Sequence, residues 1–101
     1  MKAFSTRHMG KTCLTFANGF SVSIVFDAAT YSDNYDLNCR YTPDHLESDT
    51  AEVAIISPDG QLLKIGYDTV LPYQSIEDVL HILKIVSKDS FSPEVDLAHL
   101  E

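Results

Sequence analysis

The chain has 101 residues, of which 45% are hydrophobic, enough for one domain with a single core and no help from a metal or a disulfide. Fifteen acids stand against seven Lys plus Arg, a formal charge of −8, which argues against direct binding to nucleic acid or to an anionic membrane, since both need a basic surface. A basic partner suits that charge better.

Residues 1–10 carry Lys2, Arg7 and His8 around Phe4 and Met9, a short basic lead-in that reads as an extra edge strand or a loose terminus. There is no apolar run near eighteen residues and no basic, apolar and small-residue series at the start. Neither a spanning helix nor a secretory signal is therefore expected, and the expected location is the cytoplasm.

Lys11 to Phe26, KTCLTFANGFSVSIVF, has the letters of a β-hairpin, and two turns compete for it. A two-residue Asn18-Gly19 turn would pair Leu14 with Ser23 and mix the faces. A three-residue loop Ala17-Asn18-Gly19, with Gly19 left-handed, pairs Phe16 with Phe20, Leu14 with Val22 and Thr12 with Ile24. Because a one-residue slip turns every side chain over, the second register, with one apolar face, is the expected one. Cys13, Thr15, Ser21 and Ser23 then share the wetter face.

Residues 27–50 read as a long acidic loop, in which Asp27, Asp33, Asp36, Asp44, Glu47 and Asp49 oppose the single cation Arg40, a local charge of −5. Tyr31, Tyr35 and Tyr41 lie in the same stretch, with Asn34 and Asn38 between them. Connections this long are usually functional or disordered, and disordered acidic tails tend to lack aromatics. Tyrosines among short polar residues supply rigid contact area, as binding loops do. These nine acids and tyrosines are the candidate partner-binding residues, on a partly ordered loop; a solvated, mobile insertion is the plain alternative. An EF-hand frame begun at Asp33 puts Tyr35, Leu37, Asn38 and Asp44 where oxygens, glycine and glutamate belong, so that motif fails.

Ala51 to Gly66, AEVAIISPDGQLLKIG, repeats the hairpin logic. Pro58-Asp59-Gly60 as a three-residue loop sets Ser57 opposite Gln61, Ile55 opposite Leu63 and Val53 opposite Ile65, with Ile56 and Leu62 on the other side. From Ser75 the period changes: Ser75 and Asp78 form a capping box, and Ile76, Val79, Leu80, Leu83 and Val86 recur at helical spacing, flanked by Ile82 and Ile85. The helix should run to about Ser87 and cover the Leu14, Phe16, Phe20 and Val22 face, with His81 on its polar side. In the tail, residues 89–101, Ser92-Pro93-Glu94 adds one helical turn, and Leu100-Glu101 has the form of a tag junction. The expected fold is α+β: an antiparallel sheet of two hairpins, about four strands, with one C-terminal amphipathic helix on one face, all in one domain.

Catalytic and metal signatures are missing from the letters. His8, His45, His81 and His99 are scattered, Cys13 and Cys39 are expected as free thiols and lie in no CxxC, and Gly10-Lys11-Thr12 is only a fragment of a phosphate loop. The chain is read as a non-enzyme with no cofactor and no metal.

The strings GKTCLTFANGFSVSIVF and AEVAIISPDGQLL, the Tyr/Asp/Asn-rich loop between them and the opening LPYQSIEDVL of the tail-side helix resemble small proteins carried by bacteriophages and mobile elements. The resemblance spans roughly residues 10–88 and implies an inhibitor of host defence of the anti-CRISPR kind. On that expectation the acidic loop mimics phosphates and occupies the Lys/Arg cleft of a nucleic-acid-binding protein, a CRISPR effector being the suspected partner. Two alternatives stand beside it: an accessory domain that dimerises through an exposed strand or the Val25, Ile56 and Leu62 face, and a cation or small-ligand sensor that uses the same loop.

Overall fold

A computed structural model of the chain describes residues 3–6, 11–26 and 46–100. Among these residues, six strands and two helices follow in order: β1 (Phe4–Thr6), β2 (Lys11–Thr15), β3 (Ser21–Val25), β4 (Leu46–Ser48), β5 (Ala51–Ile56), β6 (Leu71–Gln74), α1 (Ile76–Val86) and α2 (Pro93–Asp96). β2, β3, β5 and β6 make a four-stranded antiparallel sheet in that order, while β1 pairs with β4 in a two-stranded ladder. The α+β architecture expected from the letters is the one observed, with the principal helix C-terminal to the sheet.

The first hairpin adopts the three-residue loop. Leu14 pairs with Val22 and Thr12 with Ile24. Phe16 N–H donates to the Phe20 carbonyl at 2.9 Å, Gly19 N–H donates to the Phe16 carbonyl at 2.9 Å, and Gly19 holds φ +91°. The second turn repeats this chemistry: Ser57 N–H donates to the Gln61 carbonyl at 2.8 Å, and Gly60 holds φ +88°. The two tips touch, since a Cβ built on Gly19 would lie 3.1 Å from both Cβ and Cγ of Pro58, whereas one on Gly60 meets nothing within 4 Å. Both glycines occupy a region that costs an L-residue roughly 1–2 kcal/mol. Gly19→Ala is therefore expected to lose about 1 kcal/mol more than Gly60→Ala in urea unfolding, the excess coming from the crowded Pro58 ring. Equal losses would contradict the contact between the tips.

The second hairpin departs from expectation beyond Leu63. Leu63 N–H still donates to the Ile55 carbonyl at 2.8 Å, and Ile56 bridges Leu62, but Val53 pairs with Leu71 and not with Ile65. The chain reverses again at a tight Ile65–Asp68 turn, where Ile65 N–H donates to the Asp68 carbonyl at 2.7 Å and Gly66 takes φ +67°. It then returns as β6, so the fourth strand is LPYQ and not the arm that follows Gly60. Pro72, which has no N–H to give to a ladder, is tolerated there because β6 is an edge among the described strands. LPYQ, the first part of the string that leads into the tail-side helix, is thus a strand, and the helix starts after Ser75 as its cap requires.

Helix α1 begins as the letters require. Asp78 N–H donates to Ser75 Oγ at 3.2 Å and Ser75 N–H donates to Asp78 Oδ2 at 2.9 Å, a reciprocal capping box, with Ser87 as the C-cap. The buried line is Val79, Ile82 and Val86, flanked by the partly buried Ile76, Leu83 and Ile85. Leu80, expected on the apolar face, is 58% exposed. It lies well round the helix from the axis through Val79, Ile82 and Val86, whose three- and four-residue steps keep them in one row. Because β6 feeds α1 through a single residue, the helix lies against β3 and β6. It leaves the far edge uncovered, so Leu14 is 42% exposed and is not part of the helix-covered face that the sequence predicts.

Core residues Val22, Ile24, Val53, Ile55 and Leu71 from the sheet meet Val79, Ile82 and Val86 from α1. The tail closes the same core. Phe91 sets its ring edge-on to Phe20, with centroids 4.9 Å apart and planes at 89°, and Leu97 is buried. Leu100, in a 3-10 turn at Ala98–Leu100, packs against the cluster. At the other end Phe4 from β1 is buried against Phe26, with centroids at 5.7 Å. The N-terminal lead-in thus contributes a real strand, and Leu46–Ser48, near the end of the expected loop, is strand β4.

Candidate functional site

Seven of the nine candidate binding residues, Asp27, Tyr31, Asp33, Tyr35, Asp36, Tyr41 and Asp44, lie outside the described residues, as does Cys39. Of the other two, Glu47 sits in β4 opposite Ser5, and Asp49 is exposed in the bend between β4 and β5. The structure does describe how the flanks of the acidic segment are held. Phe26, its immediate neighbour on the β3 side, packs its ring on Phe4, and Phe4 is the ladder partner of Ser48. Strand β1 therefore bridges the two ends of residues 27–45.

That bridge is firm for a physical reason. Phe4 and Phe26 are both buried, and Ser48 is fully buried with its hydroxyl satisfied: Oγ donates to the Thr50 carbonyl at 2.6 Å and accepts from Thr50 N–H at 3.2 Å. This local loop fixes the turn from β4 into β5, whose Ala51, Val53 and Ile55 lie in the core. Tying both ends of a long connection to a rigid body lowers the entropy it must lose on binding. Among the described residues every buried side-chain polar atom has a partner.

A second feature has no counterpart among the sites expected from the sequence. The turn at Ile65–Asp68 and the start of β6 enclose a cleft of about 550 Å³, lined by Ile65, Tyr67, Asp68, Val70, Pro72 and Leu100 together with Gly66 and Leu71. Tyr67 is fully exposed at 102%. Tyr73, two residues into the strand from Leu71, has φ +52°, a left-handed conformation that a bulky aromatic rarely adopts and that costs of order 1–3 kcal/mol. The pairing of β5 with β6 shifts register between Ala51 and Val53 at the same level. The available signal was the string GYD: a two-residue turn with glycine first normally continues with a small polar residue, and here it continues with tyrosine.

The remaining surfaces are plainer. Strand β2 is one edge of the four-stranded sheet, with all five residues exposed, Cys13 among them as a free thiol. A 2.8 Å hydrogen bond joins the hydroxyls of Thr15 and Ser21, and Ser21, expected on the wetter face, is buried beside β5, where it pairs with Ile56. Ile56 is half-buried and its bridge partner Leu62 is exposed, so the apolar pair anticipated beside the second turn does reach solvent, while Val25, also half-buried, lies at the other end of β3 opposite Glu52. His81 is exposed on α1, as its position opposite the buried row requires. Among the described residues no three of His, Cys, Asp and Glu come together as a metal ligand set, and no helix is long and apolar enough to cross a membrane.

No family model matches the chain, and no curated protein or solved structure matches it.

Proposed function

We propose that the protein is a binding module without catalytic activity, whose acidic, Tyr-rich segment at residues 27–50 occupies a basic nucleic-acid-binding surface of a partner protein. The observation that carries this reading is the bridge formed by β1, which holds against a packed core both ends of residues 27–45, a stretch of charge −3 that Glu47 and Asp49 just beyond it extend to −5. Asp27, Asp33, Asp36, Asp44, Glu47 and Asp49 supply carboxylates along the segment, and Tyr31, Tyr35 and Tyr41 supply contact area that loses little entropy when fixed. The finer proposal, an inhibitor of bacterial defence carried by a phage or mobile element and acting on a CRISPR effector in the host cytoplasm, rests on the resemblance of the two hairpin strings and their loop.

Because the attraction is electrostatic, it weakens with salt. Replacing Asp33, Asp36 and Asp44 together by Asn is expected to cut affinity for the partner about tenfold, from roughly 0.5 kcal/mol for each solvent-accessible ion pair. Affinity capture from a bacterial lysate containing CRISPR effectors, read by mass spectrometry at low and high salt, tests this. A nucleic-acid-binding protein retained by the wild type at low salt and lost with the triple variant supports the reading, and equal retention by both contradicts it.

A second reading has its own observation in its favour. The exposed β2 edge, with Leu14 42% exposed, offers a surface for self-association. Sedimentation at high salt separates the two, because a strand-paired dimer persists there while an electrostatic complex dissociates.

A further inference from the structure

The geometry points to a second binding site, in the cleft between the Ile65–Asp68 turn and β6, for a small ligand with an apolar body and one cationic head. The volume of about 550 Å³ falls within the range of small-molecule pockets, and the lining has their character. Ile65, Val70, Leu71, Pro72 and Leu100 provide an apolar wall, of which Ile65 and Leu71 are themselves buried in the core and therefore fixed. The cleft is thus largely formed before anything binds.

Two polar groups give the site its sign. Asp68 is exposed and, among the described residues, is the only charged side chain in the lining; its Oδ1 accepts from Thr69 N–H at 2.7 Å, which orients the carboxylate and leaves Oδ2 to a ligand. Tyr67, beside it on the turn, offers an aromatic face to a cation. The turn that presents both is closed by the Ile65–Asp68 backbone bond and by Gly66 in the left-handed region, so the two residues leave neighbouring points of a fixed backbone.

One departure from ordinary turn construction falls inside the lining: a tyrosine stands fully exposed at a turn position where a small polar residue would serve folding better. Tyr73, at positive φ, lies outside the lining, in the bulge where β5 and β6 shift register. The site does not depend on the acidic segment, so it stands or falls apart from the function proposed above.

The test uses the full chain labelled for amide NMR, titrated with phenethylammonium, with the neutral 2-phenylethanol and with the anionic 3-phenylpropionate. Saturable shifts confined to residues 65–72 and 100 are expected with the ammonium, about fivefold weaker binding with the alcohol, and none with the carboxylate. Asp68→Asn should erase the difference between ammonium and alcohol, and Tyr67→Ala should weaken both about two- to fivefold, while the spectrum shows each variant folded. No saturable shift at residues 65–72 up to millimolar ammonium, or equal binding of all three probes, overturns the assignment.

Discussion

Ile82→Ala is expected to remove about 3–4 kcal/mol of folding stability, more than any other substitution proposed for this chain. Ile82 is 1% exposed at the middle of the buried row of α1, packed in the cluster that holds Val22, Ile24, Val53 and Ile55. Truncation loses the transfer energy of the removed carbons and leaves a cavity that a sheet and a helix cannot close by local relaxation. For a chain of this size the total is about 5–15 kcal/mol, so the variant should unfold at much lower urea. Leu80→Ala is the matched control: the same helix and a similar volume, but a side chain mostly in solvent, expected to cost less than about 1 kcal/mol. Equal losses from the two variants would mean that α1 does not turn Ile82 toward the sheet and Leu80 toward water.

Asn18 is expected to give the second largest effect. Its Nδ2 donates to the Val86 carbonyl at 2.7 Å and to the Lys88 carbonyl at 2.8 Å, while its Oδ1 accepts from Phe20 N–H at 3.0 Å. The tip of the first hairpin thereby satisfies the Val86 carbonyl, which the end of α1 leaves without an intrahelical partner, and adds a second donor to the Lys88 carbonyl just beyond the helix, which also accepts from Phe91 N–H at 3.0 Å, across 68 and 70 residues of sequence. Asn18→Ala should cost about 2 kcal/mol, from two to three bonds of modest net worth and one partly buried carbonyl left without its donor. In thermal unfolding this corresponds to a fall of roughly 8–16 °C. Asn18→Asp keeps the shape and the bond from Phe20 but removes both donors and sets a negative charge against the negative end of a helix. It should therefore destabilise at least as much as Asn18→Ala. An Asp variant as stable as the wild type would show that the hairpin tip does not cap the helix.

These two positions also show what the letters carry and what they do not. The turns ANG and PDG are legible because a glycine at the left-handed position and apolar alternation on both sides leave one register with an unmixed face. Ser75 and Asp78 are legible because both halves of a capping box lie within four residues. By contrast, the partnership of Asn18 with the end of α1 spans most of the chain, and nothing in the local letters of FANGF distinguishes a tip residue that caps a distant helix from one that only turns.

Other differences have equally specific causes. In the letters of β6, Pro72 and the nearby Ser75 cap outweigh a strand of four residues, so the segment reads as the approach to a helix. Val53 reads as the partner of Ile65 because an alternating pattern lets the second hairpin continue, although Gly66-Tyr67-Asp68 breaks it. Strands β1 and β4, three residues each, are shorter than any period can reveal. Leu80 and Ile82 are equally apolar, and only the approach of α1 from β6 decides which one is buried. For the candidate binding residues, composition identifies the acidic segment as a unit, whereas the cleft at residues 65–72 arises from a chain reversal that brings Ile65 and Leu71 together.

Competition between the acidic segment and nucleic acid for a basic surface is the core of the proposed function. The most direct measurement is displacement of a fluorescent nucleic acid from a purified CRISPR effector by increasing amounts of the protein, in parallel with the Asp33/Asp36/Asp44→Asn variant and at two salt concentrations. The expected result is full displacement by the wild type at low salt, with the midpoint raised about tenfold in the variant and raised again by salt. Displacement that is equal for the two proteins, or a ternary complex in which effector, nucleic acid and protein remain together, would contradict it.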